Sequence, residues 1–312
     1  MDQRLGSRGS ISGRAANQLV GQTDMRRAEA NFYSDWVAEL RQELRQFGHQ
    51  VASRSDEEIT HIYLNLQKRL IEPKPRQVWR SREFQCPDDL HQGLSLVECA
   101  IRRGDDLSPH LSRFIKQPNY NDPLLNHWGI HHLHLGTSID ADQFVRREGP
   151  LLFAMFDPES AFLINVYPHG AWEMQDMVRI LHENWPETIE QYRLNDVTGL
   201  ANPVSDQDIK VLRKKNINAF VEIAPNIVYA PIGGGSTSSG ISIEVVRQAD
   251  HIKRRLEEFE RAILENIEEI AEKAREEGIN LPMTPRFELK EQDGKSYAVE
   301  VDTKIGVPLE RF

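Results

Sequence analysis

Four of the chain's 11 histidines lie within eight residues, in the stretch NHWGIHHLHLG at positions 126–136. Side chains on a strand alternate between its two faces. A strand over 129–136 would therefore place His132 and His134 together on one face. His131 would share the other face with two leucines, which is typical of a packed face, and His127 precedes the strand. The spacing predicts His132 and His134 as the chemically available pair.

A second polar row follows in the segment 161–169, where Asn165, Tyr167 and His169 alternate with apolar residues. The same alternation puts Phe162, Ile164 and Val166 on the opposite face. If the two strands belong to one sheet, one polar surface would carry the side chains of His132, His134, Asn165, Tyr167 and His169.

Three interpretations of this cluster are open. His132, His134 and His169 could bind Zn²⁺ or another divalent metal, since three histidines and a water form a known catalytic zinc site. Histidine and tyrosine could instead act as general acid and base without a metal, because the unperturbed pKa of imidazole lies near ~6.5. Finally, they could be ordinary polar residues of a covered sheet. A concentration of polar groups on one face favours a site, because burying them is costly.

Several helices are predicted in the first 117 residues, with no strand among them. A helix over 23–47 begins at a possible N-cap, Thr23, and carries an apolar stripe at spacing four. Ser55 and Glu58 form a capping box that opens the next helix. Residues 1–20 are rich in Arg, Ser and Gly and are predicted to be a flexible tail.

The remaining chain mixes strands and helices. Segments 150–157 and 161–168 predict a β-hairpin around an Asp-Pro turn, and a helix over 243–277 carries a seam of apolar residues at spacings of three and four. That seam favours packing within the chain over pairing with a second copy. A terminal hairpin is predicted around Asp293-Gly294. We expect an α+β fold in which a helical region, 21–117, precedes a central antiparallel sheet module, 118–200, and an α/β region, 201–312, that holds the long helix.

The composition narrows the function class. The net charge is -10 and the isoelectric point about 5.6, which argues against a dedicated duplex-DNA binder. The two cysteines form no CxxC pair, and no apolar run approaches the ~18 to 20 residues that span a bilayer. The N-terminus has no apolar core of a secretory signal. We expect a cytoplasmic protein with no membrane segment.

Residues 125–172 carry a pattern made of the histidine strand, a loop with Arg146 and Arg147, and an apolar hairpin that His169 follows. This pattern resembles the sheet of RelE-type toxins, within the broader barnase, EndoU, colicin and RelE-like ribonuclease fold. The resemblance covers about one sixth of the chain. Those ribonucleases are usually small and basic, whereas this chain is long and acidic.

The resemblance implies a metal-independent endoribonuclease of toxin or phage-defence type, with RNA as its partner and no cofactor. Its acid and base would come from His132, His134 and His169 with Tyr167 as a helper. Arg146 and Arg147 would contact phosphate, and Asn165 would help to bind the substrate. The additional helical parts would bind an inhibitory or regulatory protein. The alternatives are a metal-dependent hydrolase that uses the same histidines, and a non-catalytic protein that binds a partner or forms a homo-oligomer through helix 243–277.

Three other features have simpler explanations. The loop 233–240, GGGSTSSG, could bind a phosphate, but a flexible connection is the favoured interpretation because the P-loop lysine is missing. A basic cluster on the helix 205–215 is more typical of a solvated face than of phosphate contacts; its members are Lys210, Arg213, Lys214 and Lys215. Trp172 is predicted to be a core residue.

Overall fold

The computed structural model describes residues 26–147 and 149–309, and it shows the predicted α+β fold. The predicted tail and the N-cap Thr23 lie outside the described residues. The helices are α1 (Phe32–Gln46), α2 (Asp56–Arg69), α3 (His91–Arg103), α4 (Pro123–Trp128), α5 (Asp176–Asn184), α6 (Pro186–Ile189), α7 (Asp206–Lys214), α8 (Ile243–Glu265) and α9 (Ile267–Glu276). The strands are β1 (Glu29–Ala30), β2 (Gln77–Arg80), β3 (His131–His134), β4 (Leu151–Phe156), β5 (Ser160–Tyr167), β6 (Val221–Ala224), β7 (Ile227–Tyr229), β8 (Arg286–Gln292), β9 (Lys295–Glu300) and β10 (Gly306–Leu309).

The central sheet has the strand order β2-β5-β4-β3. The hairpin of β4 and β5 is as predicted, and Asp157 fixes its turn by accepting hydrogen bonds from the amides of Glu159 and Ser160. The expectation that the first 117 residues are all helical is wrong. Strand β2 lies parallel to β5 at the edge of the central sheet, with Gln77 opposite Ser160. The N-terminal region therefore contributes directly to the central sheet.

A β-bulge changes the alternation along the hairpin. The register between β4 and β5 shifts between Phe153 and Ala154, so that Phe153 pairs with Asn165 while Ala154 pairs with Leu163. The extra residue is Ile164. Because a bulge lets the chain gain one residue, side chains before it change face relative to those after it. The sequence-based assignment of Phe162 and Ile164 to the face opposite Tyr167 is therefore wrong, since both pack in the same apolar cluster as Tyr167.

Apolar clusters cover both faces of the central sheet. On one face, Leu133 and Leu163 pack with residues of α1, α2, α3 and α8. On the other, Leu151 and Phe153 pack with residues of α5, α7 and the β6-β7 hairpin. The sheet is thus the middle layer between two groups of elements, and polar side chains on β3 come into contact with protein on either side.

The long helix packs within the chain, as the sequence analysis favoured. Helix α8 lies against α1 and α2. The buried seam residues are Val245, Ala249, Ile252, Leu256, Phe259 and Ile263. The predicted single helix over 243–277 is interrupted: α8 ends at Glu265 with Asn266 as its C-cap, and α9 begins at Ile267. The predicted terminal hairpin is also present. Asp293 and Gly294 have φ angles of 51° and 69°, the left-handed values that a tight hairpin turn requires.

No helix in the described ranges is long and apolar enough to cross a membrane.

Helix α3 approaches the end of β3 so closely that only glycine fits at the crossing. A Cβ atom added to Gly93 would lie 1.7 Å from the carbonyl oxygen of Leu135, which belongs to the backbone and cannot rotate away. In an unobstructed helix, replacing glycine with alanine would stabilise the fold by up to about 1 kcal/mol. Here we expect Gly93→Ala to destabilise it by about 2 kcal/mol or more, measured by urea unfolding.

The matched control is Gly306→Ala, since a Cβ at Gly306 would lie an ordinary 3.7 Å from its nearest neighbour, a ring carbon of Tyr297. Equal urea midpoints for the two variants would show that α3 does not approach β3 as described.

Candidate functional site

Four of the predicted site residues come together around one cavity. The cavity has a volume of about 320 Å³, and its wall includes His132, His134, His169 and Arg147. The first two come from β3, His169 follows β5, and Arg147 follows the loop that β3 leads into. Sequence positions up to 37 apart, from 132 to 169, thus contribute to one wall.

Strand β3 holds the histidine pair at the edge of the sheet. The chain leaves α4 through Gly129, whose φ of 68° is left-handed, and enters β3 directly. His132 lies opposite Phe153 and His134 opposite Leu151, so both imidazoles stand on the same face, and their ring centres are 6.4 Å apart. The Nδ1 atom of His110 lies 2.8 Å from the carbonyl oxygen of His134, which fixes the end of the strand.

Asp122 connects the helix α4 to the histidine pair. One carboxylate oxygen caps α4 by accepting hydrogen bonds from the amides of Leu124 and Leu125, at 3.0 and 3.1 Å. The other lies 3.9 Å from Nδ1 of His132. Both side chains are mostly covered, with exposed fractions of 13% for Asp122 and 12% for His132. The sequence analysis missed this residue, although an Asp directly before a Pro is an N-cap signal that could have identified α4.

Trp172 forms part of the cavity wall and packs against the edge of an apolar cluster, so it is only partly the core residue that was predicted. Its ring centre lies 4.6 Å from that of His132 and 5.1 Å from that of His169, and the side chain is half-buried. The indole therefore contacts both the buried and the exposed histidine. An aromatic surface at this position can stack against a base or another flat ligand group.

Helix α7 supplies positive charge to the same cavity. Lys210, Arg213 and Lys214 line it. Lys210 and Lys214 are exposed, as expected for a solvated basic face, whereas Arg213 is buried, so the expectation is wrong for Arg213. Asp122 and Glu173 are the acidic residues of the wall, against these three cations and Arg147. The cavity is locally positive although the chain as a whole has a net charge of -10.

Arg213 is the most deeply buried of these cations. Its Nε donates to Nδ1 of His127 at 3.0 Å, and one Nη donates to the carbonyl oxygen of Trp172. The guanidinium carbon lies 4.0 Å from the ring centre of Trp128, a cation–π contact. The second Nη is buried and has no hydrogen-bond partner among the described residues. Burial lowers the pKa of Arg213 to about 10, so it stays charged at neutral pH.

Burial makes the histidine pair neutral. Desolvation, followed by the neighbouring His132 and Arg147, lowers the pKa of His134 to about 4. Desolvation also lowers the pKa of His132, and Asp122 acts in the opposite direction by stabilising its protonated form. The sequence analysis assumed the unperturbed value near ~6.5. With lowered pKa values, both imidazoles are neutral at pH 7. Each keeps one N–H and one nitrogen that can accept a proton, but neither is an imidazolium that could act as an acid.

Three predicted residues are not on the wall of this cavity. Asn165 and Tyr167 do share the sheet face with the histidines, but Phe153 and Leu151 lie between them on β4. The Asn165 side chain binds the amide of Gln85, and the Tyr167 hydroxyl donates to Asp176 at 3.1 Å. Arg146 precedes the wall residue Arg147 and is exposed. Neighbouring strands are about 4.8 Å apart, so one intervening strand puts β5 side chains out of reach.

His131 lies on the opposite face of β3, as predicted. It is buried beside Phe156, with ring centres 5.6 Å apart, and desolvation lowers its pKa to about 4. Among the residues that the structure describes, no group of three His, Cys, Asp or Glu side chains is arranged to hold a metal ion. The metal alternative at His132, His134 and His169 stays a prediction that direct metal analysis has to test.

The loop 233–240 is not the free connection that the sequence analysis favoured. A Cβ on Gly233 would lie 2.1 Å from the carbonyl oxygen of Leu125, so the loop backbone packs directly on α4. The amides of Gly233 and Gly235 donate to the carbonyl oxygens of His127 and Asn126. The loop therefore has a fixed position against α4.

No protein-family model matches this chain, and no curated protein or solved structure shows significant similarity to it. Its function therefore has to be argued from the chemistry of the site, because a fold by itself does not imply an activity.

The lowered pKa of His134 can be measured by NMR. We expect its imidazole signal, assigned as the one missing from the His134→Gln spectrum, to titrate near pH 4. In an unfolded chain a histidine titrates near ~6.5. As the pH falls, the unfolded state therefore binds the proton first. The contribution of the neutral His134 side chain to the free energy of unfolding is therefore fully present above about pH 6.5, and it is lost as the pH falls towards about 4. A midpoint at pH 6 or above would contradict the burial described for this residue.

Proposed function

We propose that this protein is a metal-independent endoribonuclease that cleaves RNA at the cavity lined by His132, His134 and His169. The proposal is carried by one observation: two neutral buried imidazoles and an exposed third one share a cavity with four cationic side chains and an indole ring. This combination suits an anionic, aromatic substrate that needs proton transfer. Tyr167 and Asn165, which lie elsewhere on the sheet, and Arg146 have no part in it.

The reaction that fits is attack of a ribose 2′-oxygen on its own 3′-phosphate. The O2′–P bond forms, the P–O5′ bond breaks, and the products are a 2′,3′-cyclic phosphate and a free 5′-hydroxyl. His132 is the base in this scheme. It is neutral and able to accept the 2′-proton, and Asp122, 3.9 Å from its Nδ1, stabilises the imidazolium that results.

The leaving 5′-oxygen needs a proton from a group on the other side of the phosphate. His169 is exposed, lines the same cavity as His132 and, like His132, contacts the ring of Trp172, so in this scheme it is the acid. Arg147, Lys210 and Lys214 surround the same space and stabilise the negative charge of the phosphorane. His134 can donate a neutral N–H hydrogen bond to a phosphoryl oxygen.

A phosphate in the cavity would also change the histidines. Negative charge close to an imidazole raises its pKa, opposing the desolvation that lowers it in the free protein. Substrate binding is therefore coupled to proton affinity at His132 and His134. The neutral state keeps them ready to accept a proton, and the bound phosphate makes acceptance favourable.

The biological setting proposed with this activity is a cytoplasmic toxin or phage-defence effector that an inhibitory or regulatory protein controls. An active ribonuclease in the cytoplasm would degrade essential RNA, so that its expression without a partner would stop growth.

RNA cleavage is expected to persist in excess EDTA and to leave 2′,3′-cyclic phosphate ends, because the proposed chemistry uses side chains alone. His132→Ala should lower the cleavage rate by about 10²-fold or more, the typical contribution of a general base. The measurement is a timed digestion of radiolabelled single-stranded RNA with end-group analysis.

The matched control for this variant is His251→Ala, which changes an exposed histidine on α8, far along the chain from the cavity. A stoichiometric metal that is lost in the double variant His132→Ala with His134→Ala, together with inhibition by EDTA, would favour the metal-dependent hydrolase instead.

Growth gives a second, independent test of the acid. Induced expression of the wild-type chain should arrest bacterial growth, and His169→Ala should relieve the arrest because the leaving oxygen then has no proton donor at the rim. Immunoblots at equal inducer concentration establish that both chains accumulate. If the two proteins are equally harmless at equal abundance, the case for catalysis at this cavity is lost, and the partner-binding alternative gains support.

A further inference from the structure

A second cavity adjoins the histidine cavity, and we propose that it binds the base and ribose of a nucleotide whose phosphate lies among the histidines. The inference rests on the proposed ribonuclease function, which leaves the specificity of the site open. The second cavity has a volume of about 440 Å³. That is within the range of about 300–1,000 Å³ found for small-ligand sites.

The two cavities are adjacent. Tyr120, Pro123 and Arg213 line both of them, so the proposed nucleotide would cross from one to the other at this shared wall. A nucleotide is a ligand with two unlike ends, a charged phosphate and an uncharged polar base. The two cavities differ in the same way, and the cation of Arg213 belongs to the wall that they share. The phosphate would lie in the histidine cavity and the base in its neighbour.

The second cavity carries less charge than its neighbour and is rich in amides. Among the described residues that line it, Arg213 is the only charged side chain, because burial and the nearby Arg213 lower the pKa of His127 to about 4. Its amide side chains belong to Gln117, Asn119, Asn121, Asn126, Asn216 and Asn218. Amides offer paired donors and acceptors, and in this they match the edges of nucleobases. With a single cationic side chain in its wall, the second cavity is poorly suited to a phosphate group.

Two buried nitrogens in this wall have no partner among the described residues. They are Nδ2 of Asn126, whose residue is 1% exposed, and one Nη of Arg213, whose residue is 9% exposed. Leaving a buried donor unsatisfied costs about 1–3 kcal/mol, and more if the group is charged. A ligand with oxygen and nitrogen acceptors, such as a nucleotide, would supply partners after small side-chain movements. These two donors without partners indicate a polar ligand and not an apolar one.

The far wall is built to keep its shape. Asn218 binds Ser236 twice, donating to its carbonyl oxygen at 2.9 Å and accepting from its amide at 2.8 Å. Asn216 donates to the carbonyl oxygen of Ser238. At Gly235, where φ is 84°, a Cβ would lie 2.7 Å from the Asn218 side chain, so glycine is required for this close approach. The glycine- and serine-rich loop thus closes the nucleoside cavity opposite the segment 117–121.

Calorimetric titration of the 312-residue chain tests the inference. The probes are the four ribonucleoside 5′-monophosphates and inorganic phosphate. We expect at least one nucleotide to bind about tenfold or more tightly than inorganic phosphate, because phosphate occupies only the histidine cavity. Asn121→Leu should remove this advantage and leave the affinity for inorganic phosphate unchanged. Asn121 lines the second cavity and not the first, and its side chain makes no hydrogen bond to a described residue.

A second variant from the opposite wall, Ser239→Trp, should have the same effect by filling the cavity, and Asn202→Leu, an exposed asparagine elsewhere, should have none. Circular dichroism and thermal melting confirm that each variant folds. Nucleotides that bind no more tightly than phosphate, or that keep their advantage in both cavity variants, would overturn the inference.

The two proposals can fail separately. RNA cleavage without any nucleotide preference over phosphate would leave the ribonuclease proposal standing and remove the nucleoside cavity. Nucleotide binding that Asn121→Leu abolishes, in a protein that cleaves no RNA, would do the reverse, and the site would then be a nucleotide-binding site without nuclease activity.

Discussion

The carboxylate of Asp122, together with that of Glu173, balances part of the positive charge around the candidate site. Asp122 caps α4, lies 3.9 Å from His132, and favours the charged forms of Arg69 and Arg213, two arginines whose pKa burial lowers to about 10. Ions are costly to bury unless opposite charges and hydrogen bonds compensate. Asp122 contributes to that compensation for Arg69, Arg213 and a protonated His132. Through its N-cap hydrogen bonds it also sets where α4 begins, and so where β3 follows. The position of the histidine pair and the charge around it therefore depend on the same residue.

The parts of the fold that could be predicted from sequence are those that neighbouring residues determine. The Ser55 capping box, the seam of α8 and the Asp293-Gly294 turn each depend on a few adjacent residues, and all three are present. Strand β2 was missed because four residues carry almost no periodicity, and their partner, Ser160–Tyr167, is about 80 residues away. The bulge at Ile164 was missed because the register depends on how β4 pairs with β5, and the sequence of one strand does not reveal that pairing.

The candidate site follows the same division. Strand alternation was sufficient to select His132 and His134 and to set His131 apart on the other face. It also placed Tyr167 and Asn165 on the correct face, but it could not show that an entire strand separates them from the histidines. Arg213 and Trp172 were assigned to a solvated face and to the core because their neighbours in sequence suggest nothing else. Only the packing of α7 and of the segment after β5 onto the sheet brings them to the cavity.

The pairing of β1 with β8 has a consequence for how the chain must fold. Glu29 lies opposite Arg286, and the apolar stripes of α1 and α2 are covered by α8, so these elements find their partners about 200 residues or more further along the chain. Contacts between such distant positions slow folding, because the entropy of closing the loop is lost before the contact forms. A fragment that lacks the C-terminal third would leave the apolar sides of α1 and α2 exposed to solvent, a condition that favours aggregation. These two helices are therefore not a separable unit, since their burial is completed only by α8.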